Sequence, residues 1–399
     1  MAETATNGPL AGIRVLDFTQ FMQGPWATQL LGDMGADVVK VEPPAGDWER
    51  GYTFDDVWPG GESALFLAMN RNKRSIVVNL KSDTGRELAL RLAAGADVIV
   101  ENARPGVMDR LGVGYEHVRA VNPSVVYASA TGYGSSGPYR DRPGQDLLIQ
   151  ALSGLVSITG SADGAPVPSG TAIADEQGAR ALVIGILLAL FHRERTGRGQ
   201  RVETNLLDVL IDCQCQEVAA YLNGGREPQR SRSGLAHAMA PAPYGIYATK
   251  DGFVALAMMP MPRLASILEE PELGRYEDLR AAYEHRDEIK ERLERIFLSR
   301  TTREWLDLLG AHDVWCAPVL SYSAMVSDPQ VVHNGIITEV DHPVAGRLRV
   351  TGIPIRLSDS PGSIRRPAPE AGEHTDELLE EGGWSAEEIA ALRQQGALG

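Results

Sequence analysis

GIRVLDFTQFMQGPWATQLLGDMGADVVKVE, residues 12–42, decides the fold. GIRVLDF (12–18) reads as a buried strand, PWATQLLGDMGA (25–36) as a helix and DVVKVE (37–42) as the next strand. The alternation then repeats. RSIVVNL (74–80) is a strand, TGRELALRLAAGA (84–96) a helix, and DVIVEN (97–102) a strand; a short helical stretch after PGVMDRLG leads to SVVYASATGYG (124–134). Repeated β-α-β of this kind implies an α/β fold, a parallel sheet with helices on its faces.

Working outward, the chain is mainly helical from Gln145 to about Leu222, interrupted by the strand-like QRVETNLLD (200–208). NGGREPQRSRSGLAHAMAPAP (223–243) is rich in turn residues and marks a boundary. YGIYATKDGFVALAM (244–258) reads as a hairpin turning at Lys250–Gly252, and AHDVWCAPVLS (311–321) as a turn into a strand. The expected organisation is a large domain over 1–222, a smaller α+β domain over 223–325, and a C-terminal segment over 326–399. That last segment carries the strands GIITEV and RLRVTGIPI and a charged helix, SAEEIAALRQQ.

Composition excludes several function classes. A net charge of -15 argues against nucleic acid or an anionic membrane as partner, since both want a basic face. The longest apolar run, ALVIGILLALF (181–191), is too short to span a bilayer, and the first residues show no secretory signal. The three cysteines, Cys213, Cys215 and Cys316, lack framework spacing, which suits a reducing compartment; the expected location is the cytoplasm. Cys213 and Cys215 read as small buried residues of a helix. The turn after the first strand, TQFMQGPWA, lacks G-x-G-x-x-G, so a dinucleotide fingerprint is not supported. There is no Walker A motif, no G-x-S-x-G elbow and no paired-histidine motif, so no metal site is expected.

SGTAIADEQGARALVIGILLALF (169–191) sets Asp175 just ahead of a long apolar helix. The plain reading is an N-cap, whose carboxylate accepts from the first-turn N–H groups. Other stretches add to it: LAGIRVLDFTQFMQGPWATQLLGDMGADVVKVEPP, NRNKRSIVVNLK (70–81), DVIVENARPGVMDRLG (97–112), ATGYGSSGPYRDRPGQD (130–146), HRERTGRGQRVETNLLD (192–208) and GEHTDELL (372–379). In this order and spacing, over residues 9 to 380, the set resembles the type III CoA-transferases, the family of formyl-CoA transferase and carnitine CoA-transferase.

The resemblance implies a Rossmann-like large domain built from both chain ends, a small domain, and two ring-shaped subunits interlocked as a homodimer. It implies that Asp175 is the nucleophile, attacking an acyl-CoA thioester to give a covalent aspartyl intermediate. The helix N-terminus would favour the ionised carboxylate, and its free N–H groups would stabilise an oxyanion. Asp146 falls where the family has an acid that orients the nucleophile; its own plain reading is an N-cap for the helix that follows. Gln145 separates two chemistries. Racemases of the same fold carry His-Asp here, and an amide has no usable basicity, so Gln145 favours transfer over α-proton exchange. A non-catalytic CoA-binding homologue is the third reading.

For CoA, the resemblance points to Arg110 near the diphosphate, Lys73 and Arg74 near the ribose phosphate, and Asn102 in the channel. Gln20, Met22 and Gln23, after the first strand, complete the candidate CoA contacts. No permanently bound cofactor is implied; CoA esters and a small carboxylic acid are the expected partners. Two departures from formyl-CoA transferase bear on substrate. Met22 stands where that enzyme has glutamine, and its GGGGQ flap is missing. His237 lies in a loop that faces the site in many relatives, and Arg226, Arg230 and Arg232 are candidates to recognise a second carboxylate.

Overall fold

The computed structural model describes residues 8–399, which divide into two compact units. The first comprises the chain up to Ile149, Ala172–Val209 and Pro329–Gly399. It is built on a sheet of β1 (Arg14–Asp17), β2 (Asp37–Glu42), β3 (Lys73–Val77), β4 (Val98–Glu101), β5 (Val126–Thr131) and β6 (Arg201–Asn205). Every pairing is parallel and the order is β3-β2-β1-β4-β5-β6, so the order reverses between β1 and β4.

Alternation along each strand sends side chains to opposite faces, and both faces are covered. Leu16, Val39, Ile76, Ile99 and Tyr127 point to a layer containing Leu88, Val118, Leu379 and Trp384. Val15, Val38, Val98, Val100 and Ala128 point to the other, with Leu31, Ala179, Leu182 and Ile186. Leu379 and Trp384 come from the chain's last segment, so the end of the sequence completes one face of a sheet begun at its start. Burial on both sides is why these strands read as continuous apolar runs.

The helix Ile173–Thr196 buries Ala174, Asp175, Gly178, Ala179, Leu182, Ile186 and Ala189. These recur every three or four residues, the spacing of one helical face. Ile184, Leu188 and Phe191 of the same helix are 58%, 64% and 63% exposed. A helix apolar on both its buried and its exposed side is unusual for a solvated surface.

The second unit comprises Gln150–Thr171 and Leu210–Asp328. An antiparallel sheet of Gly245–Ala248, Phe253–Leu256 and Cys316–Pro318 packs with helices around Tyr247, Phe297 and Trp305. Those rings are 5.0 Å and 4.7 Å apart in sequence along the row, and Trp305 Nε1 donates to Phe297 O. Residues 150–171 and 210–222, assigned from sequence to the large domain, group with this unit instead. Cys213 and Cys215 are exposed, contrary to the reading as buried residues: Cys213 lies in a turn, and the helix Cys215–Gly224 buries none of its side chains within the chain.

Candidate active site

The order reversal opens a crevice at the carboxyl ends of β1 and β4, where ligands bind in open α/β sheets. It holds a cavity of about 870 Å³. The loop after β1 supplies Gln20, Phe21, Met22 and Gln23 to its wall, and the segment after β4 supplies Asn102, Ala103 and Arg104. Gln145, Asp175 and Leu206 close it on the β5–β6 side.

A buried polar network fixes the β1 loop. Asp17 accepts from Thr19 N at 2.9 Å and, through its other oxygen, from Thr28 Oγ1 at 2.6 Å and Lys73 Nζ at 3.1 Å. Lys73 Nζ also donates to Pro25 O and Asn70 Oδ1, while Lys40 Nζ donates to Thr19 O and pairs with Asp47 at 2.6 Å. Burial pushes the Asp17 carboxyl up, but Lys73 and Lys40, together with the hydroxyls of Thr19 and Thr28, more than offset it and hold it below its usual value. Burial also pulls Lys73 down to about 8, against the opposing pull of Asp17. Above this network, the Asn102 amide receives Gln20 N at 2.9 Å and donates to Gln20 O at 2.7 Å. Asn102 thus stitches the two loops together across the crevice as well as lining it.

These contacts correct one expectation. Lys73 is fully buried, and Arg74 is held by Asp37, Glu377 and Glu381. Neither lines the cavity, and both spend their charge on internal carboxylates, so they are not placed to meet a ribose phosphate. Gln20, Met22 and Gln23 do line the cavity; Arg110 sits exposed on the short helix Val107–Arg110, whose Val107 and Met108 are part of the wall.

Asp175 stands at the third position of its helix and is 8% exposed. The N-cap is Ala172, whose side chain makes no cap, so the capping role expected of Asp175 is not the one it has. That role falls to Asp146, whose Oδ1 accepts from Ala174 N at 2.7 Å and Asp175 N at 3.4 Å. Asp146 therefore caps the long helix while beginning the helix Asp146–Leu152, whose first bonds Gln145 O accepts. Among the described residues, the Asp175 carboxyl has no hydrogen bond and no cation paired to it. Burial, then Asp146, then Glu176 push it up to about 7. The helix N-terminus favours the ionised form, but within one turn that effect is smaller than the cost of burial.

Gln23 packs against the same helix one turn on. A Cβ at Gly178 would lie 2.6 Å from Gln23 Nε2, so only glycine leaves this niche open. Gln23 Nε2 is buried there without a hydrogen-bond partner. An unpaired carboxyl and an unpaired amide thus share one end of the cavity.

Sequence reading missed the Asp17–Lys40–Lys73 network, although Lys40 inside the apolar run DVVKVE was a signal, since a lysine there must be paired. It also missed a row of aromatic rings, Phe21–Trp48 at 5.1 Å, Trp48–Tyr52 at 4.9 Å and Tyr52–Phe54 at 5.9 Å. Trp48 is 57% exposed and lines the cavity. In the other unit, His237 Nδ1 accepts from Met239 N, which leaves Nε2–H to donate to Glu217 at 2.7 Å. Arg230 there donates to the carbonyls of Thr159, Gly164 and Ala165, so it holds its own loop. Among the described residues no cluster of three or more His, Cys, Asp or Glu could hold a metal, and no helix is long and apolar enough to cross a membrane.

With this geometry in hand, comparison with known proteins is specific. The sequence profile of CoA-transferase family III matches residues 10–375. The mouse succinyl-CoA:glutarate CoA-transferase is 38% identical over 94% of this chain and 86% of its own length. The formyl-CoA:oxalate CoA-transferase of Rhodopseudomonas palustris (strain BisA53) is 34% identical over 98% of this chain and 97% of its own. Among solved structures, a CAIB/BAIF family protein from Brucella suis superposes with a TM-score of 0.82 at 33% identity, covering 94% of this chain and 100% of that one.

Proposed function

The chain belongs to CoA-transferase family III, and from that premise we propose that it moves CoA between an acyl-CoA and a short dicarboxylic acid through a covalent intermediate on Asp175. One observation carries the reading: a buried carboxyl, unpaired and raised to about 7, at one end of a cavity of about 870 Å³. Near neutral pH a substantial fraction is ionised, and the carboxylate is poorly solvated, which suits a nucleophile.

Asp175 Oδ attacks the thioester carbonyl carbon, the π pair moves to oxygen, and the C–S bond breaks to give an aspartyl–acyl anhydride and CoA thiolate. The thiolate then attacks the aspartyl carbonyl, forming an aspartyl–CoA thioester and releasing the donor acid as carboxylate. An acceptor carboxylate attacks that thioester, forming a new anhydride and freeing the thiolate. Attack of the thiolate on the acceptor acyl carbon completes the exchange and regenerates Asp175. No net proton transfer is needed, so the site requires no general base, in keeping with the amide at Gln145.

The dicarboxylic acid rests on the names of the relatives, which act on succinate, glutarate or oxalate. Homodimer formation is supported by the exposed Ile184, Leu188 and Phe191, a stripe that a second copy would cover. The free cysteines favour a reducing compartment such as the cytoplasm. Hydroxylamine quenching with succinyl-CoA should leave a hydroxamate on Asp175, read by peptide mass spectrometry. Full transfer by Asp175→Ala would refute the reading.

A further inference from the structure

We propose that Arg140, on the loop between β5 and the helix Asp146–Leu152, joins Arg110 in a two-guanidinium clamp for the phosphate groups of CoA. The inference rests on the reading that the cavity takes acyl-CoA. It adds a residue from a different segment of the chain, and with it a basis for preferring CoA esters over thioesters of phosphate-free pantetheine.

Two arginines converge on one patch of backbone. A Cβ built at Gly106 would lie 3.4 Å from Arg110 Nη1 and 3.4 Å from Arg140 Nη2. Gly106 has φ +80°, a conformation that glycine takes without strain, and the absent side chain keeps this patch clear between the guanidiniums.

Like charges so close need an anion, and among the described residues no carboxylate is hydrogen-bonded to either. Arg110 makes no ion pair among the described residues, and the nearest carboxylate to Arg140 is Asp141 at 3.9 Å, itself 85% exposed. The contrast with other arginines is sharp in a chain of net charge -15. Arg50 is taken by Glu42, Arg71 by Asp33, and Arg74 by three acids. Two further cations, Lys81 and Arg104, which make no ion pair among the described residues, line the adjoining cavity wall.

The loop that carries Arg140 is held in shape. Its ends meet back to back, where a Cβ at Gly132 would lie 2.7 Å from Gly144 Cα. Gly134 N donates to Thr131 Oγ1, Arg140 N to Gly137 O, and the Arg142 guanidinium lies 3.9 Å over the Tyr139 ring. Arg140 is therefore presented by a closed loop and not by a free tail. Paired guanidiniums with no internal partner are suited to phosphate oxygens, which they bind in forked, charge-assisted hydrogen bonds.

The test is calorimetric titration of free CoA into the full-length wild-type protein and its Arg140→Ala and Arg140→Lys variants, with thermal unfolding as the control for folding. Arg140→Ala should weaken CoA binding about tenfold or more, and Arg140→Lys should recover only part, since an ammonium lacks the fork. Repeating the titration with 3′-dephospho-CoA assigns the phosphate: an equal loss points to the diphosphate, and a loss confined to CoA points to the 3′-phosphate. Arg140→Ala binding CoA within twofold of a binding-competent wild type overturns the clamp. Wild type failing to bind CoA at all would instead overturn the functional reading on which it rests.

Discussion

Asp175→Asn separates the chemistry proposed for Asp175 from its cost to the fold. The substitution keeps the shape of the side chain and removes its charge. In the native state the carboxyl is raised to about 7, against an unfolded value of 3.8. Below 3.8 both states are protonated and the group contributes nothing to the difference. Between the two values the native state keeps a proton that the unfolded chain releases, so stability falls as pH rises, by about 1.4 kcal/mol per unit. Above 7 the loss levels off near 4 kcal/mol, an order-of-magnitude figure for about three units. Asparagine escapes this loss, but its amide brings a pH-independent term of its own. The informative quantity is therefore the stability of Asp175→Asn relative to wild type at pH 8.5 minus the same difference at pH 5. It should be positive, roughly 2–3 kcal/mol. For a unit of roughly 250 residues that corresponds to several degrees of melting temperature. Urea unfolding at the two pH values, followed by tryptophan fluorescence, measures it, and the same protein should show no CoA transfer. A stability difference that does not change with pH would mean that Asp175 is not held as a raised, buried carboxyl, and the reasoning fails.

Further outcomes follow from the same geometry. Asp146→Asn retains an oxygen for the helix cap but removes the second cause of the raised Asp175 carboxyl, so the acid limb of the kcat/KM profile should move to lower pH; an unmoved limb counts against the coupling. Gly178→Ala gains about 0.5–1 kcal/mol of helix propensity yet places a Cβ 2.6 Å from Gln23 Nε2 and 2.7 Å from Leu206 Cδ2. Stability should change little while kcat/KM falls at least tenfold, and normal kinetics would show that the Gln23 niche is immaterial. Lys73→Met strands Asp17 in the interior and should cost about 3–5 kcal/mol in urea unfolding; a loss under about 1 kcal/mol would show that the network does not depend on this pair. With a 2-methylacyl-CoA in deuterated water, no α-proton exchange is expected, and mass spectrometry detecting deuterium uptake would return the racemase reading.

What could be read from sequence and what could not divides along the range of the interactions. Strands β1, β2 and β4 announce themselves because burial on both faces leaves local apolar runs. The reversal of order between β1 and β4 has no such signature, since nothing in DVIVEN records which neighbour it pairs with. Asp175 was singled out through the order of motifs around it, and its expected capping role falls to Asp146, which lies in a different segment. Capping patterns are local, and this cap is not. Lys73 and Arg74 failed for the same reason: NRNKRS looks like a surface cationic cluster until Asp17, Asp37, Glu377 and Glu381 are brought to it by the fold.

The Asp146 cap also bears on where the oxyanions of the proposed mechanism can be stabilised. A carboxylate at a helix N-terminus suggests that the helix's own free N–H groups receive the developing charge. Here Ala174 N and Asp175 N already point to Asp146 Oδ1, so the cap that fixes the Asp175 helix consumes those donors. Asp146 also adds negative charge where an oxyanion would need the opposite, and it is the second cause of the raised Asp175 carboxyl. On the proposed mechanism this points to the facing wall, the β1 loop, which Asp17, Lys40, Lys73 and Asn102 hold in place. That loop carries the one side-chain donor found buried without an acceptor at this end of the cavity among the described residues, Gln23 Nε2. In the proposed mechanism the division of labour is physical: the long helix carries the Asp175 carboxyl, which burial keeps poorly solvated, and the rigid β1 loop carries polar groups lining the same cavity.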